Sequence, residues 1–528
     1  MHKLEEISKC VGFRETGCDF HITCYFLNKT ACYWFSFLSF VSILALPWMY
    51  ICYIAYNDHS DLNWTAFRTL KKWVNWYMIL LVISAVLATY CLLLQVFALL
   101  HFAIREPLDL HWLHKVLLIL GLLIVTLGTA GMSIKWKEEW KTVYMSFQAT
   151  APFLQLGALV ALILISWLVF QSYHRAKTTA CKVFIMVTFL IVSAAVFLCP
   201  LVICSPCINN TLPPKPALVG HRGAPMLAPE NTMMSFRRSV ECEVVAFETD
   251  VQLSKDMMPF LMHDDGSNFL LRTTDVKYTF PGRDNYTHTN FTVQELKMLN
   301  AGEWFLRTDP FRTVSSLSEE EKMQAKEQTV PMLSELLVLA KEHNVSLMFD
   351  LKNEKNSTEF YDSDSYYTIE TIKKSGISPD KIWWLPPGFR NDVSKIAPGY
   401  QHVYDNVPDM DADGGSFLNV KYSSLSTRKI SDLRNRNVSV NLWVVNERWL
   451  FSLLWCTGAS SVTTNACNLL KNMSRPDWHL KPVEYMCIWI SADVISMLLL
   501  FGLFLLQRKR KHVSHQSTWE RSVPLLAL

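Results

Sequence analysis

Six runs of about 20 apolar residues constrain this chain more than any other feature, because a run of that length is what crosses a ~30 Å hydrocarbon core. They fall at Cys32 to about Tyr56, at 75–100, 116–134, 151–172 and 183–204, and at Tyr485–Leu506. Trp76, Trp136 and Tyr173 sit near their ends, where amphipathic rings favour the interface. The first run is too long for a signal-peptide core and is followed by no small-residue cleavage site, so it reads as a retained span. An even number of spans puts both termini on one side, and the cluster Arg508, Lys509, Arg510 and Lys511 places that side in the cytoplasm. The expected layout is a cytoplasmic segment 1–31, five spans over 32–204, an outside or lumenal segment 205–483, a sixth span 485–506 and a basic cytoplasmic tail 507–528. The plasma membrane is the expected location. Lysines and arginines in the short loops discriminate poorly, since Lys71, Lys72, Lys135, Lys137 and Lys141 fall on the outer side and Arg105, Lys115, Arg175, Lys177 and Lys182 on the inner.

The 205–483 segment carries seven N-x-S/T sequons, at Asn209, Asn285, Asn290, Asn344, Asn356, Asn437 and Asn472, in agreement with an outside placement. Cys204, Cys207, Cys242, Cys456 and Cys467 belong to the same side, where disulfides form, but five is odd and the sequence assigns no pairs. Near the N-terminus Cys10, Cys18 and Cys24 are either unmodified thiols or acylation sites. A net charge of +3 with no basic stripe argues against a nucleic-acid partner. Protein partners are not indicated.

From Pro213 to about Asn472 short apolar strands alternate with amphipathic segments. ALVGH, VVAFETDVQL, SLMFDLK, KIWWLP, VSVNLWVVN and SSVTTN read as strands, with helical stretches such as TMMSFRRSVEC and PMLSELLVLAKEHN between them. Such alternation over roughly 250 residues predicts a (β/α)8 TIM-type barrel with a core of about 215–470, inserted into the six-span helical membrane domain. An open doubly wound sheet is the alternative. His221, Glu248, Asp250, His263, Asp350 and Asn446 all come near the C-terminal ends of strands, the rim at which barrels do chemistry. The polar stretch Thr274–Glu327 is expected to be an insertion or long loop over that rim.

Glu248 and Asp250 are two apart on one strand and so share a face. Two carboxylates there repel unless a cation neutralises them, and a hard oxygen site for Ca2+ or Mg2+ resolves the repulsion. Asp350 can supply a third carboxylate, with Lys352 on the same face. Surface acids on an edge strand are the bland alternative, weakened by the continuous apolar runs VVAF and SLMF. Two histidines beside such a cluster form an acid/base pair candidate, one imidazole accepting a proton while the other donates. Arg222 and Lys352 suit a phosphate, and Gly223 lets the backbone approach closely.

HRG at 221–223, PENT at 229–232, ExD at 248–250, HD at 263–264 and WxxN at 443–446 resemble, in order, the signature of the glycerophosphodiester phosphodiesterases. The flanking spans resemble that family's six-span animal subfamily, whose catalytic domain faces outside. The resemblance implies a metal-dependent barrel that hydrolyses glycerophosphodiesters or related glycerol and inositol phosphodiesters, small or lipid-linked. It implies His221 and His263 as acid and base, with a glycerol hydroxyl able to attack first and give a cyclic phosphate. It further implies Glu248, Asp250 and Asp350 as metal ligands, and Arg222, Glu230, Lys352, Trp443 and Asn446 as substrate or phosphate contacts. Two departures stand out. Asp350 stands where the family usually has glutamate, and Asn465 where aspartate is common.

These departures sustain a second reading, a weakly active or inactive ectodomain with a signalling or adhesion role. The intact histidines and ExD pair oppose it. A transporter would need polar or broken spans, and only scattered residues such as Gln95, Gln155 and Asp493 lie in or near them.

Overall fold

The computed structural model describes residues 29–522, apart from 105–107, 137, 177, 267–269, 284–285, 288–289 and 353–358. Cys10, Cys18 and Cys24 and the sequons at Asn285 and Asn356 lie outside the described residues.

Helices α1 (Lys29–Ile54), α2 (His59–Leu70), α3 (Trp76–Ile104), α4 (Trp112–Lys135), α5 (Lys141–Arg175) and α6 (Thr179–Val202) precede the insert, and a final helix, Pro482–Ser522, follows it. Six helical stretches are long and apolar enough to cross a membrane. The helices do not end where the expected spans do: the final one runs on past Leu506 to Ser522. The first span does not give way to a loop near Tyr56: a 3-10 turn, Ala55–Asp58, leads into α2, whose sequence HSDLNWTAFRTL is amphipathic rather than apolar. Helix α5 extends ten residues N-terminal to the expected span start at 151, while its apolar stretch, Phe153–His174, keeps to the expected place. Its added first turns carry polar side chains that meet the insert, Gln148 bonding Thr427 at 3.3 Å.

The insert is a barrel of eight parallel strands, which corrects the open-sheet alternative. The strands are β1 (Ala217–His221), β2 (Ala246–Leu253), β4 (Ser346–Leu351), β5 (Ile382–Trp384), β6 (Gln401–His402), β7 (Phe417–Lys421), β8 (Ser439–Trp443) and β9 (Ser461–Thr464). The order β6-β5-β4-β2-β1-β9-β8-β7 closes through Tyr404 beside β6, whose N–H donates to Phe417 O and whose carbonyl accepts from Asn419 N. A short β3 (Pro259–Leu261) pairs antiparallel to β2 outside this ring. Every residue of β2 is buried, as a strand covered on both faces requires. β6 and β7 escaped the strand reading: β6 is two residues of polar sequence, and β7 is interrupted by Asn419 and closed by Lys421.

The 274–327 stretch is more than a loop. It folds into short helices, Val276–Thr279, Val293–Lys297, Glu303–Thr308 and Glu319–Lys326, around Phe291, Leu296, Leu299, Trp304 and Phe305. Pro310 and Phe311 from this segment reach the rim cavity.

The C-terminal rim of the barrel rests on the membrane domain. Asp58, just before α2, accepts hydrogen bonds from Trp136 Nε1 at 2.9 Å and from Tyr422 OH at 2.8 Å. Lys421 pairs with Glu139. Trp48, Trp136 and Tyr422 belong to one continuous buried core. Disulfides Cys207–Cys456 and Cys242–Cys467 settle the odd cysteine count, with Cys204 exposed and outside both pairs.

Candidate active site

The HRG turn shows how the sequence builds a site locally. Arg222 adopts φ 55°, a left-handed conformation that is costly for a residue with a side chain. It is latched there by its N–H, which reaches Glu248 O at 3.0 Å and Glu248 Oε2 at 3.1 Å, and by its carbonyl, which accepts from Asn231 N at 3.0 Å and Ser235 Oγ at 3.0 Å. Gly223 must be glycine: at φ 88° a Cβ would lie 2.5 Å from Ser235 Oγ and 2.6 Å from the Ser235 backbone. The PENT residues complete the latch. Asn231 Nδ2 donates to Asp250 Oδ2 at 2.9 Å, and Thr232 caps helix Met233–Glu241 by accepting from Ser235 N at 3.3 Å.

Strand register assembles the carboxylates. Asp250 on β2 and Asp350 on β4 are register partners, so they share a face with each other and with Glu248. Lys352 Nζ bridges Asp250 Oδ1 at 2.8 Å and Asp350 Oδ2 at 2.5 Å. Arg222 lies 3.1 Å from Glu230 and 3.3 Å from Asp250. Arg272 forks onto Asp264 with two bonds of 2.8 Å and also bonds Glu230.

This network pairs four carboxylates, of residues 230, 250, 264 and 350, with three cationic side chains, so one formal negative charge remains, and Glu248 joins it through the Arg222 backbone N–H. Burial, and then the charge of Asp250, raises the Glu248 carboxyl above the usual range. For Asp250 burial works the same way, but the charges of Lys352 and then Arg222 overcome it and hold the group low. Hard oxygen donors carrying surplus negative charge fit a divalent cation at Glu248, Asp250 and Asp350. A second set, Glu230, His263 and Asp264, brings donor atoms within 4.8 Å of one another. Its two carboxylates share Arg272, as Asp250 and Asp350 share Lys352.

The two histidines have different partners. His221 Nδ1 donates to Asn465 Oδ1 at 2.6 Å, and its Nε2 lies 3.8 Å from Glu248 Oε2. Burial, then the adjacent Arg222 charge, pushes its imidazole down to about 3, so the ring is neutral at physiological pH. His263 Nδ1 donates to the carboxylate of Asp264 at 2.9 Å. Burial would raise the Asp264 carboxyl, but Arg272's charge and the His263 bond outweigh it and keep it low.

Of the sequence candidates, His221, Arg222, Glu230, His263 and Asn446 line one rim cavity, and Lys352 and the three metal candidates lie in the connected ion network. Trp443 is the exception. It ends β8 at the rim, yet its side chain is not on the cavity wall; its carbonyl accepts from Tyr422 N. Residues the sequence reading missed are Arg272, Asp264 as its partner, and Asn57, Trp64 and Trp73 from the connection between the first two spans. A lone arginine in the apolar run FLLRTT was the available signal for Arg272. Nothing local marks residues 57–73, which meet the site only through the tertiary fold.

Residues 221–383 match the model of the Glycerophosphoryl diester phosphodiesterase family. The chain is 43% identical over 484 residues to glycerophosphoinositol inositolphosphodiesterase GDPD2 of Homo sapiens, covering 91% of this chain and 89% of that protein. It is 40% identical over 480 residues to glycerophosphodiester phosphodiesterase domain-containing protein 5 of Gallus gallus, covering 90% and 79% respectively. A solved phosphodiesterase of Oleispira antarctica, in complex with the product sn-glycerol-3-phosphate, aligns at 20% identity, covering 48% of this chain and 95% of that one with a TM-score of 0.38.

Proposed function

The chain belongs to the glycerophosphodiester phosphodiesterase family, a family of phosphoric diester hydrolases that in general depend on a divalent cation, and from that premise we propose a specific division of labour for its site. The substrates are glycerophosphodiesters or related glycerol and inositol phosphodiesters, with lipid-anchor linkages as the membrane-bound extension. Similarity to a relative named for glycerophosphoinositol supports the inositol arm.

Glu248, Asp250 and Asp350 hold the divalent cation, Ca2+ or Mg2+. When bound, that ion supplies Lewis-acid polarisation of the phosphate. Arg222 orients a phosphate oxygen, with Glu230 fixing the guanidinium and Lys352 adding a point charge from the side. His221 is the general base. Its burial and the adjacent Arg222 charge favour the uncharged ring, and its Nδ1–H bond to Asn465 leaves Nε2 to take a proton from the attacking hydroxyl. His263 is the general acid: the Asp264 carboxylate on its Nδ1 fixes the ring so that Nε2 faces the departing alkoxide and gives it a proton. Trp443 and Asn446 shape the rim, Asn446 through hydrogen bonds rather than direct chemistry.

We also propose the topology read from the sequence: segments 1–31 and 507–528 cytoplasmic, spans within 32–204 and 485–506, and the barrel of 205–483 outside the plasma membrane or lumenal. Residues of the first and third connections, Asp58 and Glu139, meet the barrel, as alternate connections on one side should. The two disulfides suit an oxidising compartment.

The observation that carries the enzymatic reading is the pair of differently partnered histidines facing one cavity. The test is hydrolysis of a soluble glycerophosphodiester by the full-length protein, with and without chelator. Activity no greater than that of His221→Ala and Glu248→Ala sinks it.

A further inference from the structure

The cavity wall is not made by the barrel alone. Asn57, Trp64 and Trp73, from the connection between α1 and α3, line it together with the two histidines.

Trp64 on α2 donates its indole N–H to Asp264 Oδ1 at 3.1 Å, and its ring meets the His263 ring at 5.4 Å, edge-on at 71°. That same oxygen accepts from His263 Nδ1 and from Arg272. Trp64 therefore fixes both the carboxylate that orients His263 and the face of the imidazole. Trp73 lies 5.6 Å from the Arg272 guanidinium, which pairs with the same carboxylate.

A second chain of bonds runs to the other histidine. Asn57 Oδ1 accepts from Asn446 N at 2.9 Å, Asn57 O accepts from Asn446 Nδ2 at 3.2 Å, and Asn57 Nδ2 donates to Val444 O at 2.9 Å. Asn446 Oδ1 in turn accepts from Asn465 N at 2.9 Å, and Asn465 Oδ1 holds His221 Nδ1. Asn57 is 2% exposed, so each of these bonds is made out of water, where a lost partner is not replaced.

We propose that the connection between the first two spans is a positioning element of the active site, with Trp64 setting His263 and Asn57 setting His221 through Asn446 and Asn465. The membrane domain thus completes the catalytic geometry as well as anchoring it. This rests on the acid/base assignment above.

The test uses full-length protein in detergent with a water-soluble glycerophosphodiester, so that membrane access does not limit the rate. Trp64→Phe keeps an aromatic ring beside His263 and removes the N–H together with the five-membered half of the indole; Asn57→Ala removes the other arm. Each is expected to lower kcat by about tenfold or more with KM within about twofold, since a hydrogen bond to a charged or buried group that orients a reacting atom acts in the transition state. Thermal midpoints are expected to stay near wild type for Trp64→Phe. Wild-type kcat in both variants overturns the proposal, as does a fall in kcat tracked by an equal loss of folded protein. His263→Ala separates the two layers. If wild type is no better than His263→Ala, the acid/base reading fails; if His263→Ala is inactive while Trp64→Phe and Asn57→Ala are not impaired, only the positioning proposal fails.

Discussion

His221 Nδ1 stands 2.6 Å from Asn465 Oδ1, a histidine whose partner is a neutral amide at the end of β9. An amide fixes the tautomer as a carboxylate would, but it stabilises the imidazolium less. His221 is already pushed down to about 3 by burial and the Arg222 charge, so its base form is lost only as pH falls toward that value. Asn465→Asp places a negative charge against the ring and raises its pKa by about one to three units. The expected outcome is an acid limb of kcat/KM from this group that enters the range between about pH 4 and 6 in the variant, where the wild type has none from it, measured across pH 4 to 8. A variant without that limb removes His221 from the role of base.

The metal arrangement predicts unequal costs for its three carboxylates. The Asp250 side chain is 2% exposed and sits between Lys352 and Arg222, whereas the Asp350 side chain is 46% exposed and shares only Lys352. Asp250→Asn is expected to lower activity at least about hundredfold and Asp350→Asn about tenfold, as a half-solvated ligand is more readily replaced by water. Chelation should abolish wild-type activity, and titrating back Ca2+ and Mg2+ separately identifies the preferred ion. Equal losses in the two variants contradict this division.

Arg272 predicts an acid sensitivity of stability. Burial would raise Glu230, but Arg272 and then Arg222 hold it at about 2, below its ordinary 4.5, and Asp264 is likewise held low. Depressed carboxylates contribute stability that is present above about pH 4.5 and lost as pH falls toward 2. Arg272→Met leaves two buried carboxylates without their fork and should cost about 3–5 kcal/mol at neutral pH. It should also flatten the dependence of the thermal midpoint between pH 5 and 3. Unfolding followed across that range checks both effects.

What was legible in the sequence had a local cause. The HRG and PENT residues act on one another within a single turn and helix cap, and the ExD pair shares a face by strand geometry alone. Six of the eight barrel strands were legible as short strand-like runs, VVAF and SLMF being continuously apolar. β6 did not, being two residues long, and Arg272 and Trp64 did not, because each joins the site across distances that no local pattern encodes. Helix α2 illustrates the limit: its amphipathic stripe looks like an ordinary interfacial helix, and only its docking against Asp264 reveals what the polar side is for.

The disulfides lend themselves to a last prediction, because each closes the barrel at a different point. Cys242–Cys467 ties the end of helix Met233–Glu241, which Thr232 of PENT caps, to the start of helix Cys467–Lys471 just after β9 and Asn465. Cys207–Cys456 ties the exit of α6 to helix Arg448–Thr457 beyond β8. Loops of 225 and 249 residues are long, and releasing such a constraint costs about 2–5 kcal/mol. The double variant Cys242→Ser with Cys467→Ser should therefore lower the thermal midpoint by about 5–15 °C, given the size of the barrel. It should also weaken activity, because it frees elements on either side of His221. The other pair, removed in the same way, should loosen the barrel from the membrane domain and act on kcat through Asn57 and Trp64. Cys204→Ser, outside both pairs, should leave both measurements at wild type. Comparing thermal melts and rates of the three proteins, with dithiothreitol on wild type as a control, decides whether the bonds hold the site or merely decorate the fold.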